Sequence, residues 1–241
     1  MSSITWTPRA VATSAALRAR KLWRAVEAQH VASTRRLVAT LAEQQQLEEI
    51  LEWTKPPLPA EARDLHYLLA TPFRYPRIEG SRFRAPHDPG VFYGADTPRT
   101  ACAELGYWRW RFLMDSPQLA TLGPAPQTLF EAGVKTLTVD LAEAPFARDA
   151  KHWQSPDDYR ATQRFGALAR EAGIGLIVYR SVRDPEPGVC GAVLRPDAFR
   201  PKKPTAPTQT WLLTVTREHA TWQREREALE FDMRRWRKKQ G

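Results

Sequence analysis

Between residues 11 and 53 the chain contains neither proline nor glycine, and its apolar positions recur at helical spacing. They fall at Leu22, Trp23 and Val26, then Leu37, Val38 and Leu41, then Leu47, Ile50 and Leu51. The pattern predicts two helices, with Ser33-Thr34 either a break and new N-cap or an interruption tolerated within one long helix. The run Lys55-Pro56-Pro57-Leu58-Pro59 ends it. A short helix over 61–69 and an extended stretch over 71–76 follow. Strands are expected around Arg82 and over 91–95, separated by a turn at His87-Asp88-Pro89-Gly90. Thr97-Pro98 supplies a hydroxyl N-cap and a first-turn proline for a helix running through Phe112. Two strands, over 128–132 and 135–141, flank a turn or bulge at Ala132-Gly133. Ser155-Pro156-Asp157-Asp158 starts a helix that continues to Ala172 and stops at Gly173. Strands over 174–179, 191–194 and 208–216 and a helix over 225–239 complete the expectation.

Helices and strands thus intermingle, and the expected class is α+β: a mixed β-sheet core flanked by helices, with an N-terminal helical extension. The expected division is an extension over 1–60, a core over 61–207, and a strand and basic helix over 208–241 completing the same domain. The extension covers one side of the sheet, forms a small helical subdomain or acts as a dimerisation arm, the last of which makes a homodimer a candidate assembly.

Composition narrows the possibilities. A chain of 241 residues buries a core without staples, and two cysteines, Cys102 and Cys190, are too few for a disulfide framework or a four-cysteine metal site. No apolar run approaches the length of a membrane span and no signal-peptide pattern opens the chain, so a cytoplasmic protein is expected. The formal net charge of +9 fits nucleic acid, a polyanionic small molecule or a solvated basic surface. The basic tail Arg234-Arg235-Trp236-Arg237-Lys238-Lys239 leaves the same choice open. The five histidines show no metal-ligand spacing, so no metal is expected, and no glycine-rich dinucleotide loop appears.

The stretch over 80–104, GSRFRAPHDPGVFYGADTPRTACAE, holds the densest chemistry. Glu104 lies about two turns inside the helix that begins at Pro98, after Ala101, Cys102 and Ala103, where a carboxylate can face a cleft. Arg82 in Gly-Ser-Arg-Phe, Tyr93 in Val-Phe-Tyr-Gly-Ala, Glu104 in Thr-Ala-Cys-Ala-Glu and Ser181 in Ile-Val-Tyr-Arg-Ser-Val-Arg-Asp follow one another in order. This succession resembles the motifs of the RES-domain family, named for an arginine, a glutamate and a serine, over roughly residues 70–200.

The resemblance implies a fold similar to ADP-ribosyltransferases and an activity that consumes NAD as substrate, by hydrolysis or by phosphorolysis with inorganic phosphate as co-substrate. It also implies a toxin held inactive by a helical antitoxin with a DNA-binding domain. Carried to this chain, Arg82 becomes a phosphate clamp and Tyr93 a face for an aromatic ring. Glu104 becomes the carboxylate that stabilises positive charge at the anomeric carbon, and Ser181 holds a phosphate or ribose oxygen. Arg74 and Arg183, close to the matching motifs, become further phosphate contacts. The proline- and charge-rich segment between Arg82 and Tyr93 departs from the family pattern. Transfer of ADP-ribose to a macromolecule and nucleic-acid binding through the basic surface are the competing readings.

Overall fold

The computed structural model describes residues 6–28, 40, 42–43, 46–47, 49–50, 55–75 and 78–236. Helix α1 (Pro8–Thr13) is capped by the Thr7 hydroxyl and leads into strand β1 (Ala16–Glu27). Helix α2 (Tyr67–Arg74), strand β2 (Phe92–Ala95) and the long helix α3 (Pro98–Met114) follow. Strand β3 (Leu122–Asp140) precedes the short α4 (Ala150–Trp153) and α5 (Arg160–Glu171). Strands β4 (Leu176–Arg180), β5 (Val189–Val193), β6 (Gln209–Val215), β7 (His219–Arg224) and β8 (Glu227–Asp232) complete the set.

The eight strands of the described residues form one sheet in the order β1-β2-β5-β4-β3-β6-β7-β8. Only β3 and β4 run parallel; the other pairs are antiparallel. A second pairing of β1, with β3, curls the first five strands into a ring. The result is a mixed α+β architecture, as expected.

The largest correction concerns residues 16–27, expected as helix and found as strand. β1 pairs residue for residue with β3, from Ala16 opposite Thr138 to Glu27 opposite Gln127. Its side chains alternate: Leu22 and Val26 pack into one core cluster, while Trp23 turns to another. Twelve residues of cross-strand pairing outweigh a propensity difference of a few tenths of a kcal/mol per residue. Leu22 lodges over two glycines paired across β2 and β5, Gly94 and Gly191. A methyl group at Gly94 would come within 2.9 Å of Leu22 Cβ, and one at Gly191 within 2.8 Å of Leu22 Cδ1. The glycines open the slot that seats β1, so this part of the expected extension belongs to the core. Of the expected helical positions further on, residues 42–43, 46–47 and 49–50 are helical; Leu37, Val38, Leu41 and Leu51 lie outside the described residues.

Three smaller corrections follow from packing. Arg82 lies in a tight turn, not a strand, with Ser81 and Arg84 exchanging backbone hydrogen bonds of 2.7 and 3.2 Å. The two strands expected either side of Ala132-Gly133 are one continuous β3, and Gly133 marks where the Arg200 carbonyl closes on the strand. Residues 227–232, expected as helix, form β8, joined to β7 by a two-residue turn with Glu225 at φ 51°. That turn carries no Asn-Gly or Asp-Gly signature. Two boundaries also move: the helix expected over 61–69 is a short turn over Ala60–Ala62 followed by α2, which runs through Pro72 to Arg74 across the stretch expected to be extended, and α5 begins at Arg160, after and not at Ser155-Pro156. Other local signals hold. Thr97 caps α3 through its hydroxyl with Pro98 in the first turn, and Gly173, at φ 72°, ends α5 with Ile174 N–H donating back to the Ala169 carbonyl.

Three apolar clusters hold the elements together. One joins α1, α5 and Phe146 to one side of the ring, a second packs α2 and Phe199 beneath Leu22 and Phe130, and a third seats α3 on β6, β7 and β8. Helix α3 therefore lies between the ring and its extension, which brings Glu104 to the mouth of the ring.

Candidate active site

A cavity of about 300 Å³ opens among β1, β2, α3, the turn over 81–84 and the loop after β4. Arg82, Tyr93, Glu104 and Arg183 all line it, so side chains from a turn, a strand, a helix and a distant loop meet in one hollow. Arg74 and Ser181 do not line it. The Arg74 Nε donates to the Pro56 carbonyl at 2.8 Å, at the end of α2.

Among the described residues, Glu104 is the one acid in the wall. Ser181 Oγ accepts the backbone N–H groups of Arg183 and Asp184, both at 3.1 Å, and so donates its own proton to Glu104 Oε1 at 2.6 Å. Its lone pairs and its proton are thereby occupied. In this arrangement the hydroxyl orients the Glu104 carboxylate. Cys190 Sγ donates to the same oxygen at 3.6 Å. Burial, with the Glu104 charge adding to it, pushes the Cys190 thiol up, so it stays protonated as a donor.

The loop bearing Ser181 is tied to α3 by Asp184. This buried carboxylate accepts from the Thr100 hydroxyl at 2.8 Å and pairs with Arg99, both in the first turns of α3. One acid thus locks the serine loop against the helix that carries Glu104. The charge-assisted Ser181–Glu104 bond is fixed from both sides.

The remaining charge in the wall is positive, from Arg24, Arg82, Arg84 and Arg183. Arg82 is 8% exposed; its Nη1 donates to the carbonyls of Trp153 and Ser155 at 3.1 and 2.9 Å, and its guanidinium lies 4.7 Å from the Tyr159 ring centre. Arg84 donates to the carbonyls of Ala85 and Asp88, both at 3.2 Å, while its Nη2 is buried without a partner. Arg183 donates to the Pro156 carbonyl at 2.5 Å and to the Tyr159 hydroxyl at 3.2 Å, and its Nη1 is likewise unpartnered. Among the described residues, none of Arg82, Arg84 and Arg183 forms an ion pair with a carboxylate. Buried guanidinium groups held by neutral acceptors alone carry a large desolvation cost, which an anionic ligand offsets.

Tyr93 uses its hydroxyl inside the protein, 2.7 Å from Ser81 Oγ and accepting the Phe83 N–H at 2.9 Å. It pins the turn that carries Arg82 and leaves its ring on the cavity. Burial raises the Tyr93 and Tyr179 phenols and pushes up the Cys102 and Cys190 thiols. All four groups keep their protons in the fold at pH values where the unfolded chain releases them. Stability is therefore fully present below pH 9 and falls as pH rises through the ordinary thiol and phenol values of 9.0 and 10.0. Urea unfolding is expected to show a lower midpoint at pH 10 than at pH 8, with the slope unchanged; equal midpoints would contradict the burial of these groups.

Sequence reasoning missed Arg24, Tyr159 and Tyr179 as lining residues. Tyr179 stands inside the quoted serine motif. Arg24 shares the period-two register of Leu22 and Val26, a signal obscured by the helical spacing. Tyr159 carried no signal. Cys102 is buried in the cluster beneath α3, as a core residue should be. Among the described residues no helix is long and apolar enough to cross a membrane.

Comparison with known families finds a match to the RES domain over residues 58–216. Among solved structures, the chain is similar to one in the crystal structure of the M. tuberculosis MbcT–MbcA toxin–antitoxin complex, with 16% sequence identity and a TM-score of 0.47 over 93% of this chain and 91% of that one. Comparison with curated proteins finds no match.

Proposed function

The chain belongs to the RES-domain family, and on that premise we propose that it consumes NAD by cleaving the bond between nicotinamide and ribose, with inorganic phosphate or water as the attacking group. One observation carries the reading: Glu104, oriented by Ser181 at 2.6 Å and the one carboxylate among the described lining residues, shares an aromatic-lined cavity with the guanidinium groups of Arg24, Arg82, Arg84 and Arg183. The pyrophosphate of NAD meets the arginines, and the anomeric carbon lies beside the acid. As the C1′–N bond breaks, its electron pair leaves with nicotinamide, which departs neutral and needs no proton. Positive charge develops on the ribose, and the Glu104 carboxylate stabilises it. An oxygen of phosphate or water then bonds to C1′, giving ADP-ribose 1-phosphate, or ADP-ribose and a proton.

A fold similar to ADP-ribosyltransferases, a toxin role and an antitoxin partner are part of this proposal, supported by the family membership. The experiment is incubation of the purified protein with NAD, with and without phosphate, and separation of the products. Nicotinamide accompanied by ADP-ribose or its phosphate supports the reading. Label from NAD transferred to protein or nucleic acid would replace it with an ADP-ribosyl transfer.

A further inference from the structure

Residues 234–236, just before the end of the chain, form a single helical turn outside the segment matched by the family. The turn closes on the cavity wall. The Trp236 ring centre is 4.7 Å from the Arg183 guanidinium carbon, and the Tyr107 ring centre is 3.6 Å from the same atom. The two rings meet edge to face, 5.2 Å apart. Tyr107 comes from α3, one turn beyond Glu104, and burial raises its phenol, so it faces the cation as a neutral ring. Arg183 is 4% exposed, its Nη2 is anchored on Pro156 and Tyr159, and its Nη1 is left without a partner.

We propose that Trp236 is a positioning residue for substrate binding, holding Arg183 in the corner that its indole makes with the Tyr107 ring and leaving the Nη1 N–H groups for a phosphate oxygen. The proposal rests on the reading of the cavity as an NAD site. An arginine side chain has several rotatable bonds, and two aromatic faces remove most of that freedom before the ligand arrives. The indole touches no reacting atom, so its effect falls on binding and not on bond cleavage. The tryptophan within the basic tail then serves the cavity and not a nucleic acid.

The test compares Trp236→Ala, Trp236→Leu and Trp236→Phe in the full chain. With Trp236→Ala the KM for NAD is expected to rise roughly five- to thirtyfold while kcat stays within about twofold. Trp236→Phe restores KM to within about threefold of the parent; Trp236→Leu, which fills space without a ring face, does not. An unchanged KM in a folded Trp236→Ala protein overturns the proposal, as does rescue by leucine equal to that by phenylalanine. A double-mutant cycle on thermal unfolding with Arg183→Ala reads the stack independently of turnover, and coupling between the two positions is expected. If the parent protein releases no nicotinamide, the NAD reading fails and the ligand named here fails with it, and coupling in the cycle would show that the stack itself is real. An active parent with no coupling and no change in KM would overturn the role of Trp236 alone.

Discussion

Replacing Glu104 by glutamine is expected to lower kcat for nicotinamide release by roughly 10²–10³-fold, with KM changed far less. Glutamine keeps the length and shape of the side chain, and its amide oxygen still accepts from Ser181 and Cys190, so the serine loop stays in place. On the proposed mechanism, what is lost is the negative charge beside the anomeric carbon, which matters only once the carbon–nitrogen bond begins to open. The change therefore falls on kcat. Steady-state assays of nicotinamide release with a thermal unfolding control measure both quantities. A folded Glu104→Gln protein turning over at the parental rate would remove Glu104 from the chemistry.

Loss of β1 is expected to be more damaging to the fold than any change in the site. Leu22→Ala should cost about 2–5 kcal/mol, because Leu22 is buried over Gly94 and Gly191 and its removal leaves a void where backbone approaches closely. Removing residues 1–28 should leave no cooperatively folding protein, since the β3 edge from Gln127 to Thr138 loses its partner and the ring opens. Circular dichroism during urea unfolding checks both. Had residues 1–60 been a separable extension, the truncated chain would unfold as sharply as the parent, and that outcome would contradict the closed ring.

The contrast between β1 and α3 shows what could be read from the chain and what could not. Helix α3 announces itself locally: the Thr97 hydroxyl, the first-turn Pro98 and the small residues before Glu104 are contiguous, and each acts on its immediate neighbours. Strand β1 is decided by β3, more than a hundred residues away, and no local pattern reports that pairing. The same division runs through the site. Arg82, Tyr93, Glu104 and Arg183 sit in or next to motifs and converge, whereas Arg24 enters on a strand read as helix, and Tyr159 comes from the loop before α5. The role of Ser181 needed its three hydrogen-bond partners, two of which are amides of its own loop. Hairpin β7–β8 was hidden because Glu225 takes a left-handed turn position usually held by glycine or asparagine. Trp236 reads as part of a charged tail until its distance to Arg183 is known.

Quantifying free nicotinamide after the purified protein meets NAD addresses the central claim most directly. Catalytic release, many molecules per protein chain, is the result expected, with ADP-ribose as the other product in water and its 1-phosphate appearing when phosphate is the attacking group. NAD recovered intact after prolonged incubation with folded protein, whether or not phosphate is present, would contradict the account.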